Sequence, residues 1–282
     1  MCMHYIYFSL LFISFFVFQA CEYESDISVP GYLEIDRIAL QHENAIGITD
    51  AWVYVNGNIQ GVYELPAKFP VIAEGDAKIK VYPGIKVNGI SATRTNYPFY
   101  KSYETNIKFE PGKSQKISPY SSYDSWVQVN VVDDFERPDL SFIPGTTSDT
   151  VLIRTTDSFE GNYAGVVYLN KQDTLFNAST KVTYDVPNLS GNYSGVFLEL
   201  NFKTDVEVEI GVATNAIDWQ SIIYLQPTSY WKKIYIDLYQ ALSRYKSGDK
   251  FFVYLKAQLG TELEEASIYL DDIKIVHEKP FE

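Results

Sequence analysis

The chain has 282 residues, 46% hydrophobic and 21% charged, a globular composition long enough for two ordinary cores and too apolar for global disorder. Its formal charge of −13, with no run of clustered Lys and Arg, excludes a nucleic-acid partner held through phosphates. Aromatic residues make up 16% of the chain, led by 23 tyrosines, which favours strands over helices.

The chain opens on an apolar block, Tyr5 to Phe18 (YIYFSLLFISFFVF), of signal-peptide length. As a helix it reaches roughly 21 Å, short of the ~30 Å of a bilayer core, which disfavours a permanent transmembrane helix. Phe18-Gln19-Ala20-Cys21 closes the block. This ending resembles a bacterial lipobox, although Met1 to His4 carries no Lys or Arg and Gln19 stands where a smaller residue is usual. The resemblance implies that residues 1–20 are removed, that Cys21 carries a diacylglycerol, and that the new N-terminus is acylated. Several chains at about 0.8 kcal/mol per buried CH₂ hold a protein stably to a membrane. An ordinary secretory signal with an incidental cysteine is the competing reading. Cys2 and Cys21 are the only cysteines, so the processed chain has one and forms no internal disulfide. Residues 21–30 read as a lipidated tether. Its acidic EYESD resembles the signals that send Bacteroidetes lipoproteins to the outer face of the outer membrane.

Residues 31–125 read as a first sandwich. Ala51, Val53 and Val55 alternate with Trp52 and Tyr54, Asn56-Gly57-Asn58 supplies a turn tolerant of positive φ, and Ile59 starts the return strand. Glu74-Gly75-Asp76 is a second turn, feeding a strand in which Ile79 and Val81 alternate with lysines. The order of strand, NG turn, Pro-containing strand, EGD turn and strand resembles small PEGA-type and related immunoglobulin-like modules of bacterial envelope proteins.

Residues 126–282 read as a second sandwich. Trp126 to Val131 is a strand followed by DDFERPD. Val206, Val208, Ile210 and Val212 fall on one face of a later strand, and Phe251, Val253, Leu255, Ala257 and Leu259 on one face of another. One short helix signal, DLYQALSRYKSG, ends at Gly248. Asp134-Phe135-Glu136, the strand Trp231 to Leu238 and the closing Ile268 to Val276 together resemble the galactose-binding-like jelly rolls, the fold of many carbohydrate-binding modules. The expected fold is therefore all-β, with an N-terminal immunoglobulin-like sandwich and a C-terminal jelly roll.

In the closing strand Ile268 and Leu270 share one parity and Ile273 and Ile275 the other, so a β-bulge is expected at Asp271-Asp272. The bulge is either a polar kink at a sheet edge or, as the jelly-roll resemblance implies, part of a structural Ca²⁺ site with Glu136, Asp271 and Asp272 as ligands. Trp231 and Tyr235 lie in the phase opposite Ile234 and Ile236 and face outward if the isoleucines face the core, with Trp219 and Tyr224 on the preceding strand. Outward aromatics of this kind stack on sugar rings or pack at a sandwich edge, and both readings stand.

His42 and His277 are the only histidines after the signal block, one near each end of the chain, and no P-loop, dinucleotide fingerprint or G-x-S-x-G motif occurs. The expected function is non-catalytic: binding or assembly on the cell envelope, with a glycan or an outer-membrane protein as partner. A structural place in an outer-membrane export or motility complex is the alternative, and a polysaccharide hydrolase a third reading.

Overall fold

A computed structural model describes residues 29–41, 46–73, 75–189, 195–214 and 218–279. The signal block, Cys21, most of the tether, His42 and Glu74 lie outside the described residues. The fold is all-β, with two sandwiches, and no helix among the described residues is long and apolar enough to cross a membrane.

The N-terminal sandwich is built around the long strand Gly75–Lys86. That strand pairs with Asp50–Val55, Arg94–Asn96 and Tyr103–Phe109, and Asn58–Glu64 completes the five-stranded sheet beyond Asp50–Val55. Asn56 (φ 51°) and Gly57 (φ 84°) form the expected hairpin turn with two left-handed residues, the twist that lets adjacent strands pair without splaying. The facing sheet has three strands, Ala67–Val71, Gly31–Ile35 and Ser114–Ile117, the last pair parallel. Val53, Val55, Ile79 and Val81 from the first sheet meet Leu33, Ile35 and Phe69 from the second, so the alternation in the sequence is the alternation of the core.

The C-terminal sandwich has two six-stranded sheets. One runs Ile153–Thr155, Ala164–Asn170, Glu265–Glu278, Val196–Thr204, Thr228–Asp237, with Val127–Asp133 also on Glu265–Glu278. The other runs Phe142–Pro144, Leu175–Thr180, Lys250–Gln258, Val208–Ala213, Trp219–Leu225, with Tyr184–Asp185 on Lys250–Gln258. The first and last strands of this half pair antiparallel, as a jelly roll requires. The residues assigned inward by their period, Val206 to Val212 and Phe251 to Leu259, all lie in the core between the sheets. The helix signal yields a single turn, Tyr239–Leu242, which plugs Leu242 into that core, and Gly248 (φ 87°) ends the segment that follows.

The bulge in the closing strand is present. Glu199 pairs with Lys274 but Asn201 pairs with Asp271, so this strand carries one residue more than its neighbour, and Asp272 adopts φ 49°. The extra residue lets Ile268, Leu270, Ile273 and Ile275 all point into one core.

The two sandwiches share a buried joint. The core of the N-terminal sandwich includes Val127, Phe197, Tyr235 and Val276, which stand on the outward face of the sheet containing Thr228–Asp237. We call this the covered sheet and its partner the open sheet. Tyr97 packs edge-on against Phe197 (5.2 Å between ring centroids) and tilted against Tyr235 (4.8 Å). Asn88 docks its backbone onto the covered sheet: its N–H donates to the Tyr235 carbonyl (2.8 Å) and its side-chain oxygen accepts the Asp237 N–H (2.9 Å).

Candidate functional site: two outward faces of the C-terminal sandwich

The four aromatic residues singled out from the sequence do not form one site. Trp231 and Tyr235 stand on the covered sheet, whereas Trp219 and Tyr224 stand on the open one. Gln226-Pro227 separates the two strands and the chain changes sheets there, so strands consecutive in sequence lie on opposite sides of the sandwich. The phase of Tyr235 is as expected, outward from the jelly-roll core, but the N-terminal sandwich covers it and leaves it 1% exposed. Its hydroxyl lies 3.2 Å from that of Tyr100. Tyr235 is a joint residue and not a ligand contact.

At the centre of the joint lies the Glu199 carboxylate, 0% exposed. It accepts hydrogen bonds from the Tyr97 hydroxyl (2.6 Å) and the Tyr123 hydroxyl (2.8 Å), and pairs with the Lys233 ammonium at 3.0 Å. A carboxylate this deeply buried is tolerable only when its lone pairs are met and a counter-charge stands beside it. Burial, and then the charge of Glu199, hold the Tyr97 hydroxyl protonated well above the ordinary tyrosine range.

Trp231 occupies the part of the covered sheet beyond the joint. Its ring packs on Phe159 and Tyr269, with the Lys203 ammonium 5.2 Å from its centroid, and Lys203 also pairs with Asp157 at 2.5 Å. These contacts fit the sandwich-edge reading of Trp231.

The open sheet presents a different face. A bulge between the pairs Ile210↔Ile223 and Gly211↔Ser221 brings Trp219 and Tyr224, of opposite parity in sequence, to the same side. Trp219 is 48% and Tyr224 49% exposed. Across the strands the register sets Asn177, Lys256, Glu209 and Tyr224 in one row, and Ser179, Tyr254, Gly211 and Ser221 in the next. Tyr254 donates its hydroxyl proton to Glu209 (2.9 Å) and meets the Trp219 ring edge-on at 4.8 Å. Burial, and then the bond to Glu209, hold the Tyr254 hydroxyl above its usual pKa. Gly211 makes room for this ring, since a β-carbon there would collide with Tyr254 and the Gln220 carbonyl. The result is a cleft of about 290 Å³ lined by Trp219, Tyr254, Glu209, Lys256, Asn177 and Thr147, among others.

Tyr254, Glu209, Lys256 and Asn177 were not singled out from the sequence. Their signal was present: with Val253 and Leu255 inward, Tyr254 and Lys256 are outward, and Glu209 lies between inward Val208 and Ile210.

The acidic trio is placed as follows. Asp271 accepts the N–H groups of Phe159 (2.8 Å) and Glu160 (2.9 Å). Glu136 accepts those of Asn162 (2.7 Å) and Tyr163 (3.0 Å), so both carboxylates pin the same loop. Asp272 instead pairs with Lys274 at 2.7 Å. Backbone N–H groups face the lone pairs that a hard cation would take, and among the described residues no group of three or more His, Cys, Asp or Glu is placed to hold a metal ion. Burial pushes the Asp271 carboxyl up to about 7, against the opposing pull of its two N–H donors. His277 is bonded to Asn130 (3.1 Å) at the end of the last strand.

No protein-family profile matches the chain, and no curated protein matches it. Among solved structures it is similar to a carbohydrate-binding module of the β-sandwich superfamily, 14% identical over 80% of this chain and 84% of that one, with a TM-score of 0.38. It is also similar to the family 11 carbohydrate-binding module of a cellulosomal cellulase from Clostridium thermocellum, 13% identical over 54% of this chain and 95% of that one, with a TM-score of 0.38. A family 29 carbohydrate-binding module matches at 14% identity over 54% of this chain and 85% of that one, with a TM-score of 0.34. Likeness at this level carries no conclusion about what this chain binds.

Proposed function

We propose that this chain is a non-catalytic glycan-binding protein of the bacterial envelope, anchored through lipid on Cys21, which takes a carbohydrate in the cleft of the open sheet. One observation carries the reading: on the face that the N-terminal sandwich leaves free, Trp219, Tyr224 and Tyr254 stand beside Glu209, Asn177 and Lys256. Sugars present apolar C–H faces and a rim of hydroxyls. Aromatic rings match the first, and a carboxylate, an amide and an ammonium match the second. Glu209 is the one carboxylate among the described residues lining the cleft, whereas most glycosidases use two flanking carboxyl groups. That favours capture over hydrolysis.

The test is a glycan array followed by calorimetry with the purified chain. Binding that is lost in Trp219→Ala and kept in Trp231→Ala supports the reading. A blank array from protein of native melting temperature, together with co-purification with an outer-membrane complex, would replace it with the structural-partner alternative. The anchor is tested separately: Cys21→Ser should abolish incorporation of a labelled fatty acid, and protease applied to intact cells should release the protein if it faces outward.

A further inference from the structure

The joint between the sandwiches is more than a contact between finished domains. Tyr97, Phe99 and Tyr100 of the N-terminal sandwich are buried, and their cover comes partly from Phe197 and Tyr235 of the covered sheet. Taken alone, that sandwich would present this aromatic cluster to water. The loop that carries Asn88 is bonded to Tyr235 and Asp237 in the manner of an added strand, with Val87 and Tyr235 bridged in parallel. Glu199 completes the joint from the other side, sharing its two oxygens among Tyr97, Tyr123 and Lys233.

We propose that the two sandwiches form one cooperative folding unit. In it the outward face of the covered sheet is part of the N-terminal core, Glu199 is the residue that couples them, and the N-terminal sandwich is a rigid pedestal for the cleft. Flexible linkage is the default for paired domains, and it rests on small, polar interfaces. Here the interface is a shared apolar core with a desolvated ion pair at its centre.

The test is native-state hydrogen exchange on the full chain without ligand, which reads the opening of each sandwich separately. The most protected amides of Val53 and Ile79 in one sandwich, and of Val253 and Leu255 in the other, are expected to share one opening constant. Glu199→Ala removes the buried carboxylate that pairs with Lys233 and accepts from Tyr97 and Tyr123, and is expected to raise the opening of the N-terminal amides roughly 100-fold above that of the C-terminal ones. If Glu199→Ala does not fold, Tyr123→Phe, which removes one hydrogen bond to the carboxylate, should separate the two sets by roughly 10-fold. Two distinct opening constants in the unaltered chain would overturn the proposal. An equal shift of both sandwiches in Glu199→Ala would overturn the coupling role of Glu199, and no shift in either would overturn its place in the joint.

Discussion

The two outward faces of the C-terminal sandwich carry nearly the same chemistry and have opposite fates. Each offers a glutamate, a lysine and at least one tyrosine within one or two strands of each other: Glu199, Lys233 and Tyr235 on the covered sheet, Glu209, Lys256, Tyr224 and Tyr254 on the open one. On the covered face Lys233 (side chain 1% exposed) and Glu199 are sealed under the N-terminal sandwich, and both Glu199 oxygens are engaged by protein donors. On the open face Glu209 is half-buried and Lys256 exposed, so their capacity faces water or a ligand. Residue type therefore does not separate a joint from a binding site. Burial does, because removing water turns the polar contacts of the same residue types from adaptable ones into a fixed requirement.

The sharpest way to break this comparison is to cut the same residue type on each face. Glu199→Ala should cost about 3–5 kcal/mol of stability, since a buried lysine, the buried Tyr97 hydroxyl and the half-buried Tyr123 hydroxyl lose this carboxylate. Glu209→Ala should cost less than about 1 kcal/mol, because water replaces what is lost, while weakening ligand binding. Denaturant titration of both variants checks the pair. Equal costs would show that burial is not the distinguishing variable.

The aromatic residues divide in the same way with a smaller effect. Trp219→Ala should weaken glycan binding roughly 30-fold, equivalent to about 2 kcal/mol for loss of a central ring, and leave the melting temperature near that of the parent. Trp231→Ala should do the reverse: binding unchanged, stability lower by roughly 1–2 kcal/mol through its lost contacts with Phe159, Tyr269 and Lys203. Calorimetric titration and thermal melts together separate the outcomes.

This division explains how far the sequence could be read. Period-two alternation was enough to orient Val53, Val208 and Val253, and the parity slip was enough to locate the bulge at Asp271-Asp272, because both are local consequences of a pleated backbone. It also set Tyr235 outward from its own sandwich, which is correct. What alternation cannot carry is what lies on the far side of an outward face. The cover over Tyr235 comes from Tyr97 and Tyr100, more than 130 residues earlier. Nor does it say which sheet a strand joins, so Trp219 and Trp231, neighbours along the chain, were grouped although a sheet change at Pro227 parts them. The row Asn177, Lys256, Glu209 and Tyr224 is assembled from four strands by register alone.

The loop pinned by Asp271 and Glu136 offers a finer comparison, between a buried carboxylate and its neighbours near the surface. Burial pushes the Asp271 carboxyl up to about 7 in the folded chain, whereas an unfolded aspartate has a pKa of about 3.9. The folded state therefore holds the extra proton between these values. Its stabilising effect is fully present below about pH 4 and is lost as pH rises through about 7. Asp133 and Asp237, also raised by burial, act with the same sign, and His277, lowered by burial, acts oppositely below about pH 6.5. Because several groups contribute, the informative quantity is a difference. Asp271→Asn keeps an oxygen to accept the Phe159 and Glu160 N–H groups but cannot ionise. Its stability relative to the parent should rise from pH 5 to pH 8, and a difference that stays flat would show that Asp271 does not carry this proton.

The same geometry sets the smallest effect, the response to calcium. A calcium ion needs six to eight oxygens at 2.3–2.6 Å, and carboxylates supply them through lone pairs turned toward the ion. In this chain Asp271 and Glu136 turn theirs toward four backbone N–H groups of one loop, and Asp272 turns toward Lys274. A cation placed there would face N–H dipoles and an ammonium, and binding would require the loop to be released first. Melting temperatures in EDTA and in millimolar calcium should therefore coincide. A rise in calcium that vanishes in Glu136→Gln would mean that the loop rearranges to give up its carboxylates, and that the bulge is a metal site after all.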